Sequence, residues 1–334
     1  MSKIVFFELE DWETAYIKAH LKGHDLVFVE KRLTEGVADK YSDADAVAVF
    51  IYSPINTSIL SKLPKVKLVT TMSTGFDHVD LDACRKKNIV ACNVPAYGDN
   101  TVAEHAMCLL LAIARKLVPS VERTRKGDFS LDGLRGFDLK GKTIGIVGTG
   151  KIGRNMAHFA EAFGMSVIAF DKFPNYELAK ECGFAYVSLD ALFAQSDVIS
   201  LHLPESPETH HIINKDNVRK IRKGCVLINT ARGGLVETEA ILIGLKEKIF
   251  SACGIDVLEE ECHIKEEKEL VLESFHHTCD MKTMLQTHML LLQPNVIITP
   301  HNAFNSSEAL VRILDTTIDN INAFFANVPK NKIT

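Results

Sequence analysis

The sequence predicts an α/β protein built as two doubly wound parallel-sheet domains. Three observations carry that reading. Short apolar runs rich in Val and Ile recur along the chain. Stretches with helical spacing separate them. One run ends in a glycine-rich turn that opens a helix. Strands covered on both faces read as continuous apolar runs, and such strands belong to parallel sheets. Helices alternating with them imply layered α/β units with right-handed crossovers.

The first strand is expected within Met1 to Phe7. Further buried strands are expected at Ala46 to Tyr52, Leu68 to Met72, Ile89 to Cys92, Thr143 to Val147 and Val167 to Phe170. Four more follow at Val198 to Leu203, Val226 to Asn229, Ser251 to Asp256 and Val296 to Thr299. The longest helix signal runs from Asp99 to Val118, with Asp99 or Asn100 able to cap it. Val102, Met107, Leu109, Leu110 and Ile113 give it an apolar surface too broad for a solvent-facing helix. It is therefore expected to lie buried between two domains, and the domain change is placed near residue 99. The polar stretch Glu122 to Lys140, with Gly127, Gly133 and Gly136, reads as loop.

Composition narrows the class. A chain of 334 residues is long enough for about two domains. A net charge of -5 speaks against nucleic acid, whose phosphates call for a basic face. No apolar run is long enough to span a bilayer. The N-terminal stretch lacks the pattern of a signal peptide. Eight scattered cysteines suit buried thiols of a cytoplasmic protein better than a disulfide framework.

The strand Thr143 to Val147 leads into Gly148-Thr149-Gly150-Lys151-Ile152-Gly153 and then helix-like sequence. Gly148 permits the tight turn. Gly150 leaves room for a pyrophosphate. Gly153 lets the helix lie close to the strand. Free N–H groups and positive potential at the helix start suit phosphates. The next strand ends at Asp171, eighteen positions after Gly153. A carboxylate there accepts from ribose hydroxyls and repels a 2′-phosphate, which favours NAD over NADP. Glycines alone are a weak signal; strand, helix, second strand and acid in register make a dinucleotide site.

Further motifs follow in order: His202-Leu203-Pro204, Asn229 to Gly234, Gly254-Ile255-Asp256-Val257 and Thr299-Pro300-His301-Asn302-Ala303-Phe304. Ser73 to Asp80, Asn93 to Tyr97 and Val102 to His105 precede them. Together these resemble the D-isomer-specific 2-hydroxyacid dehydrogenases, over about residues 45 to 325. Tyr97 and the long insert before His301 are most like the D-lactate dehydrogenase branch. The resemblance implies a Rossmann NAD domain at 99–301 and a flavodoxin-like substrate domain at 1–98, completed by 302–334, with a cleft between. It implies reduction of a small 2-oxo acid, pyruvate first, to the D-2-hydroxy acid. A homodimer formed through the NAD domain is also implied, with the Asp99 helix against the partner.

Site residues follow the same resemblance. Arg232 lies beyond a strand end, where ligands bind in open α/β sheets, and its fork can hold a carboxylate and a ketone oxygen. His301 titrates near neutrality and suits proton transfer. Glu261 is expected to pair with His301, with Glu259 second and Glu260 between them. Asp256 is expected to face the nicotinamide side and influence His301 or the cofactor. Cofactor contacts extend to Lys151, Ile152, His202, Pro204, Thr230 and Ala231. Thr74 and Gly75 are expected to offer backbone N–H groups to the substrate carboxylate, and Tyr97 its hydroxyl. Phe304 and Tyr52 can wall the side-chain pocket, or belong to the core. His105 reads as a structural or domain-contact residue. Cys262, His263, His276, His277, Cys279 and His288 match no zinc pattern, so no metal is expected.

Three rival functions remain in the sequence. One is a dehydrogenase of larger 2-hydroxy acids. A second acts on phosphorylated ones, for which the loops in the 50s and 70s carry little extra positive charge. The third, of another class, is an NAD-sensing corepressor-like binding protein, which the lack of disordered or recruitment sequence disfavours.

Overall fold

The structure is a computed structural model that describes residues 1–259 and 281–334. The described chain forms two compact units. The first comprises Met1–Tyr97 and Asn305–Thr334, and the second Gly98–Phe304.

The first unit holds strands β1 (Lys3–Phe7), β2 (Asp25–Val29), β3 (Ala46–Val49), β4 (Leu68–Thr71) and β5 (Val90–Cys92). They form one parallel sheet in the order β2-β1-β3-β4-β5. The third strand is shorter than its apolar run. Phe50 and Tyr52 N–H groups both donate to Glu8, at 3.1 and 3.0 Å, and the Ser53 hydroxyl joins them. That carboxylate folds residues 50–53 into a turn where the sequence suggested more strand. β2 is an edge strand that the sequence reading does not include, although Leu26 to Val29 is a continuous apolar run; its last four residues are only partly covered.

The late segment of this unit is tied to its early strands. The helix Ser307–Phe325 packs on β4 and on the helix Asp11–His20. Asn320, buried on that helix, donates to Asn93 O at 2.9 Å and accepts from Asn331 at 2.8 Å. Arg312 Nε donates to Tyr97 O at 2.6 Å. Lys332 bridges antiparallel to Cys92, and Ile333 N donates to Ala91 O at 2.9 Å.

The second unit holds β6 (Thr143–Val147), β7 (Ser166–Phe170), β8 (Ala185–Tyr186), β9 (Val198–Leu201), β10 (Cys225–Asn229), β11 (Phe250–Ile255) and β12 (Val296–Ile298). All pair parallel in the order β12-β11-β10-β9-β6-β7-β8. The order reverses between β6 and β9, and a crevice at such a switch point is where α/β sheets take ligands. Apolar clusters cover both faces of the sheet. Phe193, Phe250 and Ile228 are fully buried there, and each such side chain contributes about 1.5–3 kcal/mol.

The long helix is shorter than its sequence signal. It runs Asp99–Ala114, and Lys116 then adopts left-handed backbone at φ 51°. Gly98 stands at the cap position without a side-chain bond; Asp99 occupies the first turn and pairs with Lys151 at 3.3 Å. Its apolar surface is covered inside its own unit, by the helix Lys151–Ala162 and by β10 and β11. A further helix, Leu117–Arg125, takes up the start of the stretch read as loop. Pro119 fits there because the third helical position needs no N–H partner. Among the described residues no helix is long and apolar enough to cross a membrane.

The Asn320 contacts give a stability test. Asn320→Ala leaves a buried carbonyl and an amide without partners, so urea unfolding is expected to lose about 1–3 kcal/mol. An unchanged midpoint would mean that the late helix is held by apolar packing alone.

Candidate nucleotide and acid–base site

The functional edge of the second unit follows from strand register. Asn229 of β10 pairs with Ile255 of β11, which pairs with Ile298 of β12. Three neighbouring strands therefore end level with one another. Arg232 follows three residues after β10, Asp256 directly after β11, and His301 three residues after β12. Adjacent strands lie about 4.8 Å apart, so the three residues share one edge of the sheet.

Each turn is fixed by its own sequence. Asn229 is buried; its amide donates to Arg232 O at 2.9 Å and its carbonyl accepts from Ala231 N at 3.1 Å. Arg232 donates to Ala231 O at 2.7 Å and remains partly exposed. Gly233 is needed beside it: a Cβ there would lie 2.0 Å from Leu258 O.

Asp256 organises the turn that carries His301. Its carboxylate accepts from Thr299 Oγ1 at 2.5 Å, Asn302 N at 3.0 Å and Ala303 N at 2.9 Å. His301 N donates to Thr299 O at 2.9 Å, and His301 takes left-handed backbone at φ 51°. His105 Nε2 lies 3.1 Å from Thr299 Oγ1 and 3.4 Å from Asp256. The threonine proton is committed to Asp256, so its oxygen accepts from His105 and Nε2 carries hydrogen. Burial pushes the Asp256 carboxyl up, but bonds from His105, Thr299 and Ala303 outweigh it and hold the group below its ordinary value.

The nucleotide loop lies at the switch point. Gly148 has φ +95°, and a Cβ on it would meet His202 O at 2.7 Å. A Cβ on Gly153 would lie 2.0 Å from Gly148 O, so only glycine lets the helix start against the loop. Gly150 faces open space instead. Lys151 and Ile152 begin the twelve-residue helix Lys151–Ala162, whose free N–H groups face that end of the sheet. Asp171 follows β7 directly and takes Thr149 N at 2.7 Å and Thr149 Oγ1 at 2.9 Å.

His202 and Pro204 follow β9, and Thr230 and Ala231 follow β10. Thr230 Oγ1 and His202 Nδ1 are buried with no protein partner among the described residues. Burial pushes His202 down to about 3, so the imidazole is neutral, with Nε2 bonded to Ser200 Oγ at 2.9 Å. Unsatisfied polar atoms at two neighbouring strand ends, beside a glycine cradle and a helix N-terminus, fit a bound dinucleotide.

The remaining expected residues are placed as follows. Glu261 and Glu260 lie outside the described residues, as do Cys262, His263, His276, His277 and Cys279. Glu259 is described and turns to other partners. It accepts from Thr238 N at 2.8 Å and Thr238 Oγ1 at 2.6 Å, and meets His211 Nε2 at 2.6 Å. Among the described residues no group of three or more His, Cys, Asp or Glu side chains is arranged to hold a metal ion. Phe304 closes the second unit.

Thr74, Gly75 and Tyr97 belong to the first unit. Thr74 O accepts from Asn93 Nδ2 at 2.9 Å, and Gly75 O accepts from Ser73 Oγ at 2.6 Å. Both carbonyls are thus taken, while among the described residues nothing accepts from the N–H of Thr74 or Gly75. Tyr52 is 41 % exposed and packs edge-on against Phe50.

Sequence reasoning passed over Thr149, Tyr186 and Thr299, and gave His105 no place near Asp256. The Thr299 contact had a local signal, since a hydroxyl two residues before an expected acid–base histidine can hold its turn. The His105 contact had none, because 151 residues separate it from Asp256.

A glycine cradle at a sheet switch point, an acid after the second strand, and an arginine and a histidine on one strand edge define an NAD-binding oxidoreductase. The model of the D-isomer specific 2-hydroxyacid dehydrogenase NAD binding domain matches residues 107–303. A 2-hydroxyacid dehydrogenase homolog of Zymomonas mobilis is 42% identical, over 90% of this chain and 89% of its own. D-lactate dehydrogenase of Escherichia coli is 35% identical, over 96% and 95%. The structure of D-lactate dehydrogenase from Aquifex aeolicus, complexed with NAD and lactic acid, superposes with a TM-score of 0.85 at 35% identity, over 99% of this chain and 98% of that one. The chain belongs to the D-isomer specific 2-hydroxyacid dehydrogenases, and its cofactor is NAD.

The depressed Asp256 carboxyl sets a pH test. Its contribution to stability is complete above the unfolded value near 4 and is lost as pH falls through the lower folded value. Asp256→Asn is expected to remove that component, leaving a flatter acid limb in a stability–pH curve taken down to about pH 2. Superimposable acid limbs would show that the carboxylate gains nothing from its donors.

Proposed function

We propose that the chain interconverts a small 2-oxo acid, pyruvate foremost, and the D-2-hydroxy acid. The observation that carries this reading is the level ending of β10, β11 and β12, which gathers a guanidinium, a buried carboxylate and an imidazole. Arg232 holds the substrate carboxylate and polarises the ketone oxygen. His301 donates the proton that oxygen needs in reduction and removes it in oxidation. Asp256 keeps His301 presented by holding its turn. Glu261, by its spacing after Asp256, supports the protonated imidazole. Bound NAD supplies the two-electron redox chemistry at its nicotinamide. Asp171 takes an adenosine ribose hydroxyl, and the Gly148–Gly153 loop with its helix takes the pyrophosphate. The open N–H groups of Thr74 and Gly75 suit a carboxylate, and Tyr97 a substrate hydrogen bond.

A panel of 2-oxo acids assayed with NADH should rank pyruvate first, and His301→Ala should lower kcat about 10²–10⁴-fold with NADH affinity nearly unchanged. Full turnover in His301→Ala would remove the proton donor. A panel led by bulky or phosphorylated acids would move the substrate to another branch of the family.

We also propose a homodimer formed through the second unit. The helix Leu117–Arg125 and the loop after it expose Leu117, Val121, Phe129 and Leu131, the last two at 77% and 81%. Grouped apolar exposure of this kind supports an interface. Light scattering should report about twice 37.1 kDa, and Phe129→Glu with Leu131→Glu should shift the mass toward 37.1 kDa. A 37.1 kDa wild-type particle would refute the dimer.

A further inference from the structure

The acid at the ribose position is not held by its own strand alone. A line of donors drawn from three separate segments ends on it. Asn175 N lies 3.2 Å from Tyr186 Oη, and Tyr186 Oη lies 2.7 Å from Thr149 Oγ1. Thr149 Oγ1 in turn lies 2.9 Å from Asp171 Oδ2. An ionised carboxylate can only accept, so the threonine hydroxyl must donate to it. Its oxygen then accepts, and the proton between the two hydroxyls comes from Tyr186. The phenol oxygen is left to accept from Asn175 N. Every bond in the line points the same way, and each polarises the next.

The carboxylate is nearly saturated by the protein. Thr149 N donates to Oδ2 at 2.7 Å, and Phe173 N donates to Oδ1 at 2.9 Å. With Thr149 Oγ1, that makes three donors against about four acceptor directions. One direction on Oδ1 remains for an external hydroxyl. Donors on both oxygens restrain Asp171 against swinging aside to admit a phosphate. The neighbour that would welcome one is present: Lys172 is exposed, 5.7 Å from the centre of the Phe173 ring and paired with Glu208 at 3.5 Å. An exposed pair of that kind is weak.

We infer that Tyr186 and Thr149 are positioning residues for NAD-over-NADP discrimination, acting by locking the Asp171 carboxylate through a one-way hydroxyl relay. This rests on the ribose role proposed for Asp171. Neither residue touches the reacting atoms. Tyr186 packs edge-on against Tyr176 and Phe184 at 5.6 and 5.3 Å between ring centres, contacts that phenylalanine preserves.

Fluorescence titration of NADH and NADPH on the purified protein tests the relay by binding rather than turnover. In Tyr186→Phe the ratio of the two dissociation constants should fall about 3–10-fold, mainly because NADPH binds better. Thr149→Ser should keep the wild-type ratio, and Thr149→Val should lower it. Asp171→Ala should abolish the preference, and adding Tyr186→Phe to it should change nothing further. If Asp171→Ala keeps full discrimination, the ribose role itself fails. If Asp171→Ala loses it while Tyr186→Phe does not, or weakens both nucleotides equally, the relay is overturned and the ribose role stands.

Discussion

A carboxylate removed from water must be supplied with donors, and Asp256 shows how much structure that demand fixes. Its side chain is fully buried, and that desolvation by itself pushes its carboxyl up. Two backbone amides and a hydroxyl from 299–303 meet it, and each of them is also a constraint on the turn. The turn accordingly winds around the carboxylate and puts His301 in a backbone region that costs a β-carbon about 1 kcal/mol or more. His105 closes the far side. One buried charge thereby joins β11, the turn after β12 and the long helix around the backbone that carries His301.

The same economy appears at the nucleotide edge. Parallel strands end level, and their turns crowd into a narrow zone. Glycine is required where backbone meets backbone, at Gly148 and Gly153, and is free to vary sterically at Gly150, where the space is left open. Such a contrast separates the fold's demands from a ligand's. Buried hydroxyl and imidazole atoms without partners, at Thr230 and His202, mark the ligand's share.

Much of this was legible in the chain. The continuous apolar runs at Leu68, Thr143 and Val198 gave strands because interior parallel strands have no polar face to disguise them. Motif spacing put Gly148, Asp171, Arg232 and His301 beyond strand ends. Legibility failed where the signal was not periodic. β8 has two residues, too few for any pattern, yet it delivers Tyr186 to Thr149. The Phe50–Tyr52 run looked like strand because its bend is imposed by Glu8, more than forty residues earlier. The helix Leu117–Arg125 was hidden by its proline and its charges. Side chains that act on other side chains leave no local trace, so the contacts of Asp256 and Asp171 are a property of the fold and not of any one segment.

The threading of the two units has a consequence for biosynthesis. The middle of the chain owns every strand of its sheet, so it can close as soon as it clears the ribosome. The other unit must wait: its early strands emerge first, but the helix that covers β4 and the tail that lines β5 arrive about two hundred residues later. During that interval an apolar sheet face stands uncovered, a vulnerability that chaperones exist to shelter.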